Sequence, residues 1–183
     1  MSEELVIKQC APTLAGLKTG SLFTCEADSF EELIKNVRMW NRILAEKGIR
    51  VLIFRYGKGR GLIYLYRPNR LRTDFENEQS KALLKEFGYT IYDADRCVAE
   101  LSRRLKSYQE FPHEIGLFLG YPPEDVAGFI KNRAGGSQFT GYWKVYGNLE
   151  QAKKTFAKYE KCTEVYQKQL LKGTCIKKLA VAV

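Results

Sequence analysis

Long apolar runs are missing from the sequence. No stretch approaches the roughly 18 consecutive apolar residues that a membrane-spanning helix needs. The N-terminal segment, MSEELVIKQC, has acidic residues where a secretory signal peptide has a basic segment followed by a long apolar one. We therefore expect a cytoplasmic protein that makes no membrane contact.

Histidine is nearly absent, and cysteine never occurs in a metal-binding spacing. His113 is the single histidine, and the five cysteines are widely scattered, with no CxxC pair: Cys10, Cys25, Cys97, Cys162 and Cys175. This odd, scattered set indicates neither a disulfide framework nor a structural zinc site, so we expect free thiols and no metal. A Walker-type phosphate loop and a GxGxxG fingerprint are also missing, and no particular cofactor, substrate or reaction class is indicated.

What the sequence does contain is enough apolar material for a packed core. The 183 residues are 45% hydrophobic, 28% charged and 13% aromatic, which is typical of a globular chain. Their number predicts one domain over residues 1–183. The formal net charge of +9 is uneven, because no acidic residue occurs between Lys47 and Thr73. Such a basic segment would attract phosphates, nucleic acid or an acidic partner.

A β-hairpin is the clearest local prediction. Two runs rich in strand-forming residues, RVLIFRY and LIYLYR, flank the glycine-rich GKGRG, which predicts a hairpin over Arg50–Arg67. Before it, apolar residues at helical spacing follow Ser29 and stop at Gly48, the pattern of a capped amphipathic helix.

Several further elements surround the hairpin. Asp93 and Asn148 are in position to cap two later helices, and Pro12 suits the start of a short early helix, with a strand near Lys18–Thr24. The tail CIKKLAVAV resembles an edge strand. The mixed order, without regular βαβ alternation, predicts an α+β (mixed α/β) domain, with a central sheet that contains the hairpin and is packed with several helices.

The segment FPHEIGLFLGYPPEDVAGFI, residues 111–130, contains the single histidine. Pro112 suits a first helical position and Gly120 an end, so residues 112–119 are either a two-turn helix or a buried strand. A second helix should begin at Pro123, where Glu124 and Asp125 complement the positive end of the helix dipole.

Four motifs together carry a family resemblance: CAPTLAGLKTGSLF at Cys10–Phe23, LIYLYRP at Leu62–Pro68, the segment 111–130, and GYWKVYG. With them the chain resembles, nearly end to end, a bacterial family catalogued as domain of unknown function 3793. The resemblance implies a cytoplasmic bacterial protein of uncharacterised activity and brings no catalytic residues. Members often have HCAPTLAG at the first motif, whereas Gln9 precedes Cys10 here.

A thiol-dependent enzyme is one hypothesis for function. Cys10, at a helix N-terminus, would have a lowered pKa, and His113 is the side chain best suited to take its proton, with Glu114 or Asp125 to orient the imidazole. The alternative for each residue is structural: a small buried cysteine, a hydrogen-bonding histidine and acids at helix ends. Whether Cys10 and His113 meet depends on the tertiary structure.

A small-molecule site near the same motifs is the related prediction. Lys18, Tyr121, Tyr142 and Lys144 are candidate ligand-binding residues because no helix end or core position requires them. In GYWKVYG the two-residue strand period places Trp143 toward the core and Lys144 on the opposite face. Lys144 is then either solvated or one wall of a pocket for a phosphate or an aromatic ligand.

Two alternatives remain open at this point. The basic hairpin and its flank, Arg50–Arg72, would bind RNA or another nucleic acid through the cations Arg55, Lys58, Arg60 and Arg67. Its tyrosines, Tyr56, Tyr64 and Tyr66, would stack on bases. The other alternative is a protein-interaction module without chemistry.

Overall fold

The computed structural model describes residues 1–89, 93–107 and 111–182 and shows an α+β fold, as the sequence predicts. Within these ranges the helices are α1 (Glu3–Leu14), α2 (Phe30–Leu44), α3 (Pro68–Glu76), α4 (Glu78–Glu86), α5 (Ala94–Ser107), α6 (Ile115–Phe118), α7 (Pro123–Lys131), α8 (Leu149–Leu171) and α9 (Ile176–Leu179). The strands are β1 (Gly20–Glu26), β2 (Arg50–Gly57), β3 (Arg60–Tyr66), β4 (Phe139–Thr140) and β5 (Lys144–Val145). None of the described helices has the length and apolarity needed to cross a bilayer.

The residue contacts divide the chain into two compact units. We call the first, Met1–Asn69 with Lys161–Val183, the sheet unit, and the second, Arg70–Glu160, the helical unit. Helix α8 contributes residues to both. That residues 1–183 behave as one domain stays a prediction.

The predicted hairpin is confirmed as β2 and β3 of the sheet unit. The two strands pair antiparallel, and β1 pairs with the other edge of β3, which gives the order β1-β3-β2. Lys58 and Gly59 connect the strands with φ angles of 51° and 71°. Two consecutive residues with positive φ match the twist of a two-residue hairpin, which is why glycine is needed at the tip.

Both faces of β3 are buried. Phe23, Ile63 and Leu65 belong to the core that α1 and α2 cover. Tyr64 and Tyr66 alternate with them, are at most 2% exposed, and stack with ring centroids 4.5 Å apart. The expectation that these two tyrosines stack on nucleic-acid bases is therefore wrong, since their rings are packed inside the protein.

The N-terminal helix differs from its prediction. Helix α1 begins after Ser2, whose hydroxyl accepts a hydrogen bond from the backbone N–H of Leu5, and Pro12 lies in the last turn instead of the first. A proline near a helix end removes a single backbone hydrogen bond, which the packing tolerates. As a result Cys10 lies inside a helix and not at its N-terminus.

The C-terminal tail is also different, because residues 176–179 form the helical turn α9 instead of an edge strand. The backbone N–H of Val181 then donates to the carbonyl oxygen of Leu14 at 3.0 Å. Arg67, 2% exposed, donates to the carbonyls of Thr13, Leu14, Lys47 and Val181 at 2.7 to 3.0 Å. Its guanidinium is thus a structural crosslink of the sheet unit.

In the helical unit the predicted caps are present. Asp93 accepts a hydrogen bond from the backbone N–H of Arg96, and Asn148 accepts one from Gln151 at the start of α8. Segment 111–130 is helical twice, but the first helix, α6, begins at Ile115, three residues later than Pro112. The strand alternative for this segment is wrong.

Candidate functional site

A cavity of about 310 Å³ lies within the helical unit, between α6, α7 and β5. Its wall is formed mostly by apolar and aromatic side chains. The lining residues are Phe111, His113, Ile115, Gly116, Tyr121, Asp125, Val126, Phe129, Trp143 and Lys144. Three of the candidate site residues, His113, Tyr121 and Lys144, therefore share one cavity.

Glycine brings α6 and α7 close together on one side of this cavity. A Cβ atom on Gly116 would lie 2.7 Å from a methyl carbon of Val126 and 3.3 Å from the ring of Tyr121. Contacts below 3.0 Å force a rearrangement, so the site needs a residue without a side chain. Gly116 thus fixes the distance between the two helices.

Asp125 fixes the other side of the cavity. Its carboxylate accepts a hydrogen bond from the indole N–H of Trp143 at 2.6 Å and from the backbone N–H groups of Tyr146 and Gly147 at 2.7 Å each. The side chain is 2% exposed. The first-turn position that the sequence predicts for it is correct, but its main contacts hold the β5 segment against α7.

Aromatic rings cover much of the remaining wall. The rings of Tyr121 and Trp143 lie 5.0 Å apart, and the imidazole of His113 meets Phe129 edge to face at 5.0 Å. Burial, with a smaller effect of neighbouring Tyr159, raises the pKa of Tyr121 to about 12. Tyr121 is therefore a neutral phenol at physiological pH. Trp143 is 8% exposed, so its predicted core position is confirmed.

Lys144 supplies a cation at the cavity wall. Its Nζ donates a hydrogen bond of 2.6 Å to the carbonyl oxygen of Ala134, and the side chain is half-buried. Ala134 has a φ of 66°, a left-handed conformation that an alanine adopts only when its surroundings hold it. The contact therefore joins Lys144 to the loop that precedes β4.

Glu114 is not among the residues that line this cavity. Its carboxylate, 2% exposed, accepts hydrogen bonds from the hydroxyl of Tyr89 at 3.2 Å and from the guanidinium of Arg104 at 3.1 Å. Burial and the Glu114 charge raise the pKa of Tyr89, which keeps its donating proton in place. These contacts give Glu114 a structural role, and a catalytic one stays a prediction.

Tyr142 lies in a different depression of the helical unit. It lines an open groove of about 560 Å³ together with Phe139, Phe156 and Lys153. Its ring is 5.6 Å from that of Phe156 and 5.2 Å from that of Tyr159. Tyr142 and Lys144 thus line separate depressions, although a two-residue strand period along GYWKVYG places them on the same face. The period does not apply to Tyr142, because β5 begins only at Lys144.

Cys10 and Lys18 are buried neighbours in the sheet unit, with exposures of 0% and 7%. Burial raises the pKa of the Cys10 thiol to about 12, while the charge of Lys18 and a hydrogen bond with Ser21 lower it by less. Burial lowers the pKa of Lys18 to about 8. The neutral thiol is favoured at Cys10, which is the opposite of the thiolate that a helix N-terminus would have produced. Its pairing with His113, in the other unit, stays a prediction.

Three of the four cations predicted to bind nucleic acid are exposed: Arg55, Lys58 and Arg60. Arg60 lies 3.2 Å from the carboxylate of Glu26, with both side chains largely exposed. Arg67 is the exception, because its guanidinium is buried among backbone carbonyls. It is therefore not at the surface, where a phosphate would bind.

A family model for a protein of unknown function (DUF3793) matches residues 6–180. The chain belongs to this family. No curated protein and no solved structure matches it. Across the described residues, no group of three or more His, Cys, Asp or Glu side chains is arranged to hold a metal ion.

Sequence reasoning missed several cavity residues. Phe129 and Val126 are not among the candidate site residues of the sequence analysis, yet both line the cavity. Asp125 was expected at a helix end, and its bond to Trp143 joins positions 18 residues apart. No local sequence pattern predicts such a pairing. The sequence does predict the helix start at Pro123, and this start positions Asp125 in the first turn of α7.

Proposed function

We propose that this protein binds a small, largely apolar molecule in the cavity between α6, α7 and β5. The observation that carries the proposal is the cavity itself, about 310 Å³ and lined by aromatic and aliphatic side chains with few polar groups. Ligand sites in proteins have this character, with volumes from roughly 300 Å³ upward.

The polar groups on the wall differ in what they offer to a ligand. Asp125 already accepts three hydrogen bonds from protein N–H groups. Lys144 and His113 are donors on the wall, one half-buried and one exposed. A ligand that presents an acceptor to these donors and an apolar body to the other side chains fits this distribution.

The proposal is tested by titrating small soluble fragments into isotope-labelled protein and following its NMR signals. We expect hits to shift the indole N–H signal of Trp143 and the methyl signals of Val126. His113→Trp, which places a larger ring at the exposed edge of the cavity, should weaken these hits about tenfold or more. Tyr142→Ala, in the separate open groove, is the matched control and should leave their affinity unchanged.

Two results would contradict this function. One is a broad set of fragments, neutral and charged, none of which shifts the cavity signals. The other is hits that shift signals around Tyr142 and lose affinity in the Tyr142→Ala variant, since the ligand site would then be the open groove.

A further inference from the structure

We infer that the cavity ligand is an aromatic carboxylate, a planar ring that carries one acidic group. This inference rests on the proposed function and adds the chemical class of the ligand. Its two parts, the acid and the ring, come from different features of the cavity wall.

The acidic group follows from the charges around Lys144. In the part of the chain that the structure describes, its ammonium group donates a hydrogen bond to the neutral carbonyl of Ala134. The Asp125 carboxylate lines the same cavity, and its oxygens accept hydrogen bonds from three N–H donors, one from Trp143 and two from the backbone. A half-buried ammonium beside an apolar cavity is stabilised by an anion, and a bound carboxylate would supply one.

His113 strengthens the same part of the argument. It lines the same cavity as Lys144. The residue is exposed, and its ring meets the ring of Phe129 edge to face. An imidazole N–H can donate to a carboxylate oxygen, so the two side chains offer two donors to one acidic group.

The ring follows from the aromatic walls. Phe111, Tyr121, Phe129 and Trp143 all line the cavity. Aromatic side chains favour offset-stacked or edge-to-face contacts with another ring over contacts with a saturated group of similar size. At about 30 Å³ for each water-sized group, a volume of about 310 Å³ holds roughly ten such groups, enough for a monocyclic or small bicyclic acid.

Four probes separate the two parts of the inference: benzoate, 2-naphthoate, cyclohexanecarboxylate and benzamide. The dissociation constant of each is measured by NMR titration of the full chain, using the signals of Trp143 and Val126. We expect benzoate to bind roughly two to ten times more tightly than cyclohexanecarboxylate because of the ring contacts. Benzoate should also bind at least about ten times more tightly than neutral benzamide. 2-Naphthoate should bind at least as tightly as benzoate.

Matched lysine variants test the role of the cation. Lys144→Met should remove the preference for benzoate over benzamide, whereas Lys144→Arg, which keeps the positive charge, should retain most of it. Lys153→Met removes a lysine from the open groove instead and should change neither affinity. Thermal unfolding of each variant shows whether it is folded before its affinities are compared.

The possible failures are distinguishable. If benzoate and benzamide bind equally well, the inference that the ligand carries an acidic group is wrong. If benzoate and cyclohexanecarboxylate bind equally well, the inference that the ligand contains an aromatic ring is wrong. The proposed small-molecule site stands in both cases. A loss of benzoate affinity in Lys153→Met that equals the loss in Lys144→Met also overturns the inference, because the attraction would then come from net charge. If no probe and no neutral fragment shifts the cavity signals, the proposed function fails with it.

Discussion

The carboxylate of Asp125 accepts a hydrogen bond of 2.6 Å from the indole N–H of Trp143, in the interior of the helical unit. The same carboxylate accepts two backbone N–H groups of the segment that follows β5. One buried side chain therefore holds α7 and β5 on two sides of the cavity. Its removal would leave three donors without their acceptor.

We expect Asp125→Ala to lower the free energy of unfolding by about 3 kcal/mol or more, because hydrogen bonds to a buried charged group are each worth roughly 1.5–3 kcal/mol. Asp125→Asn keeps acceptor oxygen and shape and should lose less. Urea unfolding measures both. Glu124→Ala, at the exposed neighbouring position, is the control and should cost less than about 1 kcal/mol. Equal losses at the two positions would show that Asp125 acts only through the helix dipole.

Phe118→Ala tests the core of the helical unit. The side chain is fully buried and meets the ring of Phe75 edge to face at 5.0 Å. Truncating a buried phenylalanine leaves a cavity, so we expect a loss of about 3–5 kcal/mol in the free energy of unfolding. Leu171→Ala, at an 85% exposed position, should lie within about 0.5 kcal/mol of the original protein. A small loss at Phe118 would mean that the site is less tightly packed than the structure shows.

Thiol reactivity tests the proposed chemistry of Cys10. Cys175 is exposed, whereas Cys10 is buried with its pKa raised by burial to about 12. At pH 8 we expect a thiol reagent to label Cys175 first and Cys10 only after unfolding, since the thiolate is the reactive form. Labelling in denaturant without reductant should count all five cysteines. Rapid labelling of Cys10 in the folded protein would support a reactive thiolate after all.

Lys18 should make stability depend on pH. Burial lowers its pKa from 10.5 to about 8, so between these values the unfolded chain binds the proton that the folded chain has released. Unfolding therefore becomes less favourable as pH rises through this window, and stability increases. Lys18→Met removes this contribution. As pH rises from about 8 to 10.5, the free energy of unfolding of the original protein should therefore increase relative to that of Lys18→Met by up to roughly 3 kcal/mol.

Cys10, which is buried beside Lys18, also makes stability depend on pH. Cys10 acts in the opposite direction above about pH 9, because its raised pKa makes the folded chain hold the proton longer. The charge of Lys18 also lowers the pKa of the Cys10 thiol, so the two proteins are compared in a Cys10→Ala background, where the difference between their denaturation curves reports Lys18 alone. A difference that stays constant from pH 7 to pH 10.5 would mean that Lys18 keeps its normal pKa in the folded state.

The nucleic-acid alternative has its own test. Arg55→Ala and Lys58→Ala remove exposed cations and should weaken any RNA binding and flatten its salt dependence, because each phosphate contact releases counterions. Arg67→Lys should instead destabilise the fold by about 2 kcal/mol or more, since an ammonium cannot reproduce a guanidinium that donates to four carbonyls. Wild-type protein that shows no salt-sensitive RNA binding at low ionic strength would remove this alternative.

Local interactions explain which parts of the fold were predictable. The hairpin depends on a two-residue glycine-containing turn, and the caps at Ser29, Asp93 and Asn148 depend on a side chain and an N–H three residues later. These signals lie within a few positions of one another. The start of α1 and the form of α9 were predicted wrongly because Pro12 is tolerated in a last turn and because CIKKLAVAV has strand-forming residues.

The sequence by itself determined the α+β class, the hairpin, the N-terminal caps of α2, α5 and α8, and the pool of polar residues without a local role. Only the tertiary structure decided how that pool divides: His113, Tyr121 and Lys144 line one cavity, Tyr142 lines another groove, and Glu114 joins a buried ion pair. The physical reason is the distance along the chain between the residues that interact. Helix ends and turns are set by neighbours along the chain, whereas the cavity is set by the close approach at Gly116 and by the hydrogen bonds of Asp125 across 18 or more residues.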